Sequence, residues 1–336
     1  MPNLLSPLSF SGLTLRNRIV MPPMWSGQAT PEGFVTPAIV DYHRQRAASG
    51  CALIIVEHSF VHPRGRHSAN QIGVHAGATV DGLSRLAAAI KAEGAAACLQ
   101  LSYAGSRSRS AVLGTAPLGP SAVKHPYEPD GEVPEEATAA QLAEIASAFG
   151  DAADRARLAG FDAVEIHAAH GFLLSQFLSP LTNRRTDDYG GALEQRGRLH
   201  REVLASVRGR VGPWFPVFVR LGAHDETPGG LEIDEACQVA ACLAENSANL
   251  IDVSGGLQGS RGVGKGPGYF VPYADAIRRR VGVPVLVTGG IADPILADRV
   301  VRDEQADLVG IGRAMLTDPG WAQQAIRKLS QTAAPV

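Results

Sequence analysis

Hydrophobic positions along the chain fall into eight short runs, and each run is followed by a turn and a longer amphipathic segment. The runs are rich in Val, Ile and Leu and show little alternation, which is typical of strands that are covered on both faces. The pattern therefore predicts eight buried strands. They occupy residues 18–22, 52–57, 96–101, 163–167, 217–221, 250–254, 284–289 and 307–312.

The segments between the runs have helical patterns, and two of them, "TVDGLSRLAAAIKAEG" and "TAAQLAEIASAFGDAADRARLAG", end in glycine as helices often do. Eight strands that alternate with helices predict an α/β fold, a parallel (β/α)8 TIM barrel with the helices outside. A doubly wound open sheet is the alternative. However, "PPMWSGQ" after the first run is not the glycine-rich fingerprint that usually opens such a sheet. We expect residues 1–336 to form a single domain.

Composition narrows the class of protein. The chain has 336 residues, 45% of them hydrophobic and 19% charged, and its net charge of −2 gives no electrostatic reason to expect nucleic acid as a partner. No apolar run is long enough to cross a membrane, and the N-terminal residues do not resemble a signal peptide. The four cysteines show no CxxC spacing, so we expect reduced thiols and no iron–sulfur cluster. These features predict a cytoplasmic protein.

Polar residues gather at the carboxyl ends of the predicted strands. In TIM barrels the chemistry takes place at that end, because the loops that follow the strands meet there. The repeated placement therefore predicts one binding site at that mouth of the barrel. The residues are Glu57 with His58, Gln100 with Tyr103, His167 with His170, Arg220, and Ser254.

The last two runs end in "TGGI" and "GIGRAM", which contain Gly289, Gly290, Gly312 and Arg313. Backbone N–H groups that glycine leaves accessible bind phosphate well, and the loops after strands seven and eight are the usual phosphate site of this fold. Arg313 would add a charge-assisted contact. The alternative is that these glycines only permit tight turns.

Two polar side chains indicate a ligand ring whose edges carry both hydrogen-bond donors and acceptors. Arg220 at the mouth requires an anion, which could be a ligand or an internal carboxylate such as Glu165 or Asp252. Gln100 offers both donors and an acceptor. A phosphate at one end of the pocket and a polar ring at the other suit flavin mononucleotide (FMN).

His167 and His170 lie three residues apart where the fourth run ends. We predict that they donate hydrogen bonds to one oxygen of a substrate, in the manner of an oxyanion hole. Two alternatives are a pair of core histidines and a zinc site that also uses His58, His62 or His67. Because the sequence has no HExxH or Cys/His set, we predict no metal.

Seven pieces of the sequence together resemble the old yellow enzyme family of FMN-dependent oxidoreductases, and the resemblance covers almost the whole chain. The long central piece is highly specific to that family. The pieces are "LRNRIVMPPM", "ALIIVE", "LQLSYAG", "AGFDAVEIHAAHGFLLSQFLSPLTNRRTDDYGG", "FVRL", "PGYFVPYADAIR" and "DLVGIGRAML".

The resemblance implies noncovalent FMN at the mouth of the barrel. Pro23 and Met24 would contact the ring system through their backbone, Gln100 would bond its pyrimidine edge, and Arg220 would lie near N1. His58 and Ser254 are further expected cofactor contacts, and the glycine loops with Arg313 would hold the phosphate.

For the substrate, the resemblance implies that His167 and His170 bind the carbonyl oxygen of an activated alkene. NADH or NADPH would be the diffusible electron donor. The chain ends at "KLSQTAAPV", so we expect no iron–sulfur domain, no second nucleotide domain and no arginine-bearing tail. A small molecule is the expected partner, and the sequence allows a homo-oligomer.

Four positions depart from the family pattern. Phe172 replaces the usual proton-donating tyrosine, Trp25 replaces a small residue, His58 replaces another small residue, and Tyr103 stands where many relatives have histidine. We predict Tyr103 as the proton donor, with His58 or water as the alternative. The expected substrate pocket contains Trp25, His58, Phe172 and Tyr269.

Three functions remain open at this point. The first is an ene-reductase that acts on α,β-unsaturated carbonyl compounds. The second is an amine or N-methyl dehydrogenase in which Trp25, Tyr103 and Phe172 form an aromatic cage for a cation. The third is a flavin-binding protein or redox-neutral isomerase that turns over little with NAD(P)H.

Overall fold

Eight parallel strands close into a barrel in the computed structural model, which describes residues 2–260 and 266–332. Their order around the barrel follows the chain, and β8 pairs with β1 to close the ring. The predicted TIM barrel is therefore confirmed, and the open sheet is excluded. The strands are β1 (Ile19–Met21), β2 (Leu53–Phe60), β3 (Ala96–Ser102), β4 (Ala163–Ala168), β5 (Val217–Gly222), β6 (Leu250–Ser254), β7 (Val285–Thr288) and β8 (Leu308–Gly310).

One long helix follows each strand and covers the outside of the barrel. Local sequence starts several of them: the side chain of Thr36 caps α1, and Thr138 with Gln141 forms a capping box at the start of α3. The helices are α1 (Pro37–Ala48), α2 (Val80–Ala92), α3 (Ala139–Leu158), α4 (Arg198–Val211), α5 (Ile233–Glu245), α6 (Val271–Arg278), α7 (Pro294–Arg302) and α8 (Trp321–Thr332).

Short strands and helices lie at the two ends of the barrel. A hairpin of Leu8–Phe10 and Leu13–Leu15 covers the amino-terminal end, where the ring of Phe10 lies 5.9 Å from the ring of Phe218. This hairpin seals the base, so the carboxyl end is the open one. The other short elements are a parallel pair of Leu118–Gly119 and Glu135–Glu136, helices Ser110–Leu113, Leu173–Leu178, Leu193–Arg196 and Arg313–Thr317, and 3-10 turns Pro63–Gly65, Gly77–Thr79 and Gly105–Arg107. No helix among the described residues could span a membrane.

The end of β2 differs from the prediction. The strand continues to Phe60 instead of ending at residue 57, because its register against β3 shifts between Val56 and Ser59 and pairing then resumes. Such a bulge re-aims the side chains around it. His58 therefore lies in the bulge within a strand, and not in a loop.

The barrel interior changes from apolar at the base to polar towards the mouth. Near the base it is filled by an apolar cluster that includes Leu53, Phe218 and Leu250. Two residues further along β5 and β6, the positions on the same face are Arg220 and Asp252, both buried. Polar side chains therefore begin above a sealed apolar floor.

Candidate active site

The first polar layer of the interior contains one cation and two carboxyl groups. Nε of Arg220 lies 3.0 Å from Oδ2 of Asp252, although the angle is too far from linear for a hydrogen bond. On the neighbouring strands, Gln100 donates a hydrogen bond of 2.8 Å to Oε1 of Glu165. Of the alternatives for Arg220, an internal carboxylate is thus the partner among the described residues. The guanidinium makes no hydrogen bond to a described residue, so it retains donors for a ligand.

The two carboxyl groups have different protonation states at neutral pH. Burial, reinforced by the negative charge of Asp252, raises the pKa of Glu165 to about 8. Burial also raises the pKa of Asp252, to about 6, against the opposing effect of Arg220. Glu165 therefore keeps a proton while Asp252 is ionised, and the layer is close to electrically neutral.

His167 and His170 come together at the end of β4, as predicted. Their ring centroids lie 5.0 Å apart at an interplanar angle of 74°. The chain turns sharply between them, because His170 and Gly171 both have positive φ, +58° and +70°. Arg107 donates a 2.6 Å hydrogen bond to the carbonyl oxygen of His170 and so supports this turn.

Both histidines are neutral. Burial lowers the pKa of each well below the usual value, and the positive charge of Arg220 adds to this effect. Nε2 of His170 lies 2.6 Å from the hydroxyl oxygen of Ser254, whereas Nδ1 of His167 is buried and has no partner among the described residues. Ser254, predicted as a cofactor contact, is thus placed on His170. The pair presents neutral imidazoles, which can donate hydrogen bonds without carrying charge.

Phe172 connects the histidine pair to two further imidazoles. Its ring centroid lies 4.5 Å from His167, 5.4 Å from His58 and 5.5 Å from His67. Phe172 and His58 therefore stand beside the pair, where the sequence placed the substrate pocket. His67 was considered only as a zinc ligand, and the described residues contain no group of three or more His, Cys, Asp or Glu that could hold a metal.

Tyr103 does not face this group of rings. The structure places it in the core between strands and helices, 1% exposed, where it stacks on His62 at 6.5 Å. Gly65 leaves room for its ring, since a Cβ there would lie 2.4 Å from it. Tyr103 shares its apolar cluster with Leu99 and Leu101 of β3, whereas Gln100 faces the interior and bonds Glu165. The prediction of Tyr103 as proton donor is not supported by this placement.

Trp25 is also outside the group of rings. Its side chain is 51% exposed and lies over Gly27. Among the described residues no ring contact joins Trp25 to Tyr103 or Phe172. The three residues do not form the aromatic cage that the amine dehydrogenase hypothesis requires.

The buried carboxyl group of Glu57 holds the loop after β1, whereas the sequence placed Glu57 only in general terms at the mouth of the barrel. Glu57 accepts hydrogen bonds from the backbone N–H and from the hydroxyl of Ser26, the latter at 3.0 Å. Burial raises the pKa of Glu57 to about 7. Pro23 and Met24, the predicted ring contacts, lie in the same loop as Ser26, which these hydrogen bonds hold. The only signal in the sequence is an acid at the end of an apolar run.

The phosphate end is predicted at the ends of β7 and β8. The backbone N–H groups of Gly289, Gly290 and Gly312 donate no hydrogen bond to a described residue. Arg313 is exposed and donates a 3.0 Å hydrogen bond to the hydroxyl of Tyr269. A Cβ at Gly290 would lie 2.6 Å from the ring of Tyr269, so this ring covers the glycine loop. Tyr269, predicted for the substrate pocket, lies against Gly290 and Arg313 instead.

Met24 packs against the glycine loop at Gly312. Its sulfur would lie 3.0 Å from a Cβ at Gly312, so the loop after β1 packs against the loop after β8. The site thus has free backbone donors at one end, Arg220 and Gln100 at the other, and neutral imidazoles beside them. This donor set fits FMN, whose phosphate is an anion and whose ring has mixed donor and acceptor edges.

Comparisons with known proteins agree with this geometry. Residues 3–332 match the model of the NADH:flavin oxidoreductase / NADH oxidase family. The NADPH dehydrogenase of Bacillus licheniformis is 38% identical over 329 residues, which cover 97% of this chain and 95% of that protein.

Solved structures give the same result. A 2-naphthoyl-CoA reductase in complex with 2-naphthoyl-CoA has a TM-score of 0.92 at 26% identity, and the match covers 97% of this chain and 52% of that one. The old yellow enzyme homologue from Zymomonas mobilis has a TM-score of 0.84 at 26% identity, and covers 100% of this chain and 94% of that one.

Proposed function

This chain belongs to the NADH:flavin oxidoreductase / NADH oxidase family, that of the old yellow enzymes, and we propose that it reduces the activated C=C bond of an α,β-unsaturated carbonyl compound with NADH or NADPH as electron donor. The family binds FMN, which when bound would carry hydride from the nicotinamide to the alkene. The proposal treats residues 1–336 as one FMN-binding domain. A cytoplasmic location and assembly into a homo-oligomer stay predictions from the sequence.

The observation that carries the proposal is the pair of neutral imidazoles, His167 and His170, at the mouth of the barrel. When the β-carbon of an enone accepts hydride, negative charge builds up on its carbonyl oxygen. Two preorganised N–H donors in a buried site stabilise that charge far better than water does. Because burial keeps both rings neutral, they can perform this task over a wide range of pH.

Ser254 would select the tautomer of His170. Its hydroxyl lies 2.6 Å from Nε2, and if it donates to that nitrogen the proton of the ring resides on Nδ1. Nδ1–H would then be the donor to the substrate oxygen. Ser254 would thus act on the substrate through His170.

We propose which residues would bind FMN from the hydrogen-bond donors that they offer. The free N–H groups of Gly289, Gly290 and Gly312 would hold the phosphate together with Arg313. Arg220 and Gln100 would face the pyrimidine edge of the ring. Pro23, Met24 and His58 would border it, from the loop that Glu57 holds and from the bulge in β2.

Water is the proposed proton donor to the α-carbon. Phe172 has no proton to give, and Tyr103 lies in the outer core. Burial lowers the pKa of His58 to about 3, so this ring is neutral and a weak acid. Water was one of the alternatives that the sequence left open.

A reductive role is supported further by the structural neighbour that is named 2-naphthoyl-CoA reductase. The amine dehydrogenase alternative depended on a cage of Trp25, Tyr103 and Phe172, whose rings do not meet, so no observation favours it.

The test is anaerobic stopped-flow spectroscopy of the FMN-loaded protein. NADH or NADPH should reduce the flavin, and cyclohex-2-enone should reoxidise it. His167→Ala/His170→Ala should slow the reoxidation by at least about 10²-fold, the usual effect of removing such donors, and leave the reduction by NAD(P)H measurable. The proposal is wrong if no enone reoxidises the reduced protein while N-methylamines reduce the oxidised one.

A further inference from the structure

Two imidazoles near the candidate active site, His58 and His67, have no role in the function proposed above beyond bordering it. One fully buried side chain, Gln71, fixes both: its Oε1 accepts a 2.7 Å hydrogen bond from the backbone N–H of His67, and its Nε2 donates a 3.1 Å hydrogen bond to the carbonyl oxygen of His58. The bulge in β2 and the turn Pro63–Gly65 bring the two backbones within reach of this one amide. The pair is therefore rigidly built.

The rings of His58 and His67 lie 5.8 Å apart, edge to face at 81°. Both contact Phe172, whose ring also contacts His167. The ring of Phe172 thus contacts His167 of one imidazole pair and both members of the second pair, His58 and His67. A flat ligand ring that lies over the mouth beside Phe172 would be near both pairs.

The second pair contains unused hydrogen-bonding groups. Nε2 of His58 and Nδ1 of His67 are buried and have no partner among the described residues. Burial lowers the pKa of these rings to about 3 and about 4, so both are neutral, and each offers one donor and one acceptor. A buried polar nitrogen without a partner costs free energy, and a ligand oxygen that supplies the partner recovers it.

We propose that His58 and His67 form a second polar subsite, which binds a hydroxyl or carbonyl oxygen at the far end of a substrate whose first oxygen is bound by His167 and His170. The substrate class is then a flat, ring-containing conjugated carbonyl compound with a second oxygen function across the ring, and a simple monofunctional enone is a poorer ligand. This inference rests on the proposed function, because it takes the His167 and His170 pair as the site of the first oxygen.

The experiment compares two ligands of the oxidised, FMN-loaded protein that differ only at the far end of the ring: 1,4-dihydroxybenzene and 4-methylphenol. Binding is followed anaerobically through the change in the flavin absorption spectrum. The wild type should bind 1,4-dihydroxybenzene about tenfold more tightly, since one additional net hydrogen bond contributes about that factor. His58→Phe/His67→Phe should lose this preference, so that it binds the two ligands with equal affinity.

Two further variants make the result specific. His62→Phe is the matched control, because His62 lies on the same loop but stacks on Tyr103, away from the site, and this variant should retain the tenfold preference. His67→Asn keeps a hydrogen-bonding side chain and should retain most of the preference, even if the double phenylalanine variant folds poorly.

The subsite is disproved if the wild type shows no preference, or if the preference survives in His58→Phe/His67→Phe. Failure of the proposed function looks different: 4-methylphenol would then bind equally well to the wild type and to His167→Ala/His170→Ala. The two hypotheses can therefore fail separately.

Discussion

Nε of Arg220 lies 3.0 Å from Oδ2 of Asp252 inside the barrel, and both side chains are buried. Glu165 shares this layer and makes its hydrogen bond to Gln100. One cation cannot neutralise two carboxylates in a medium of low polarity, so one of the acids retains its proton. The ion pair thus determines the protonation state of the layer on which the proposed cofactor would lie.

The protonated state of Glu165 predicts a change in the pH dependence of stability in Glu165→Gln. A folded pKa of about 8 lies above the ordinary value of 4.5. Protonated Glu165 therefore makes its full contribution to the free energy of unfolding below about pH 4.5. This contribution is lost as the pH rises through about 8. Between pH 5 and pH 8 the free energy of unfolding of the wild type should fall relative to that of Glu165→Gln by on the order of 2–4 kcal/mol.

Urea denaturation at several pH values measures this difference. Glu245→Gln, which alters an exposed residue, is the control and should follow the wild type. If the curves of Glu165→Gln and the wild type are parallel, Glu165 is ionised in the folded protein.

Gly290→Ala should weaken FMN binding by more than about tenfold, because the new Cβ would lie 2.6 Å from the ring of Tyr269 at a residue with φ of +67°. The loop would have to shift, and its free N–H groups would move with it. Quenching of FMN fluorescence on binding to the apoprotein measures the affinity. Gly282→Ala is the matched control, since it has open space around it, and equal affinity of the two variants would exclude this loop from the cofactor site.

Tyr103→Phe should leave the reoxidation of the reduced flavin by an enone unchanged within about twofold, because a proton donor is typically worth 10²-fold or more and Tyr103 lies in the outer core. Its buried hydroxyl has no partner among the described residues, so its removal should not reduce stability. Tyr189→Phe provides the contrast: it loses a 3.0 Å hydrogen bond to Glu202 and should cost about 1 kcal/mol. A large decrease in rate in Tyr103→Phe would return this residue to the active site.

The buried side chain of His43 predicts that the free energy of unfolding falls at acid pH. It is fully buried in α1, and neither ring nitrogen has a partner among the described residues. Burial lowers its pKa from 6.5 to about 3, so the unfolded chain binds a proton at pH 5 and the folded protein does not. From pH 7 to pH 5 the wild type should therefore lose about 2 kcal/mol more stability than His43→Leu. Urea midpoints at the two pH values test this, and equal losses would mean that His43 is protonated in the fold.

The sequence by itself determined the architecture of this protein. Runs such as the one at 250–254 have the length and composition of buried strands, and glycines and caps such as Thr138 mark the helices, because these preferences act over a few residues. The meeting of strand ends also follows from sequence alone, since parallel strands place all their carboxyl ends on one side. For this reason the sequence alone places His167, His170 and Arg220 at one mouth of the barrel.

Only the tertiary structure decided which side chains face that mouth. Tyr103 lies three residues after Gln100 and on the opposite face, while His67 comes from a loop and reaches the rings because Gln71 holds its backbone. The bulge in β2 that positions His58 depends on pairing with β3, some forty residues away in sequence. The paths of loops and bulges are set by contacts between distant segments, such as that between Met24 and Gly312, and local patterns contain no information about such contacts.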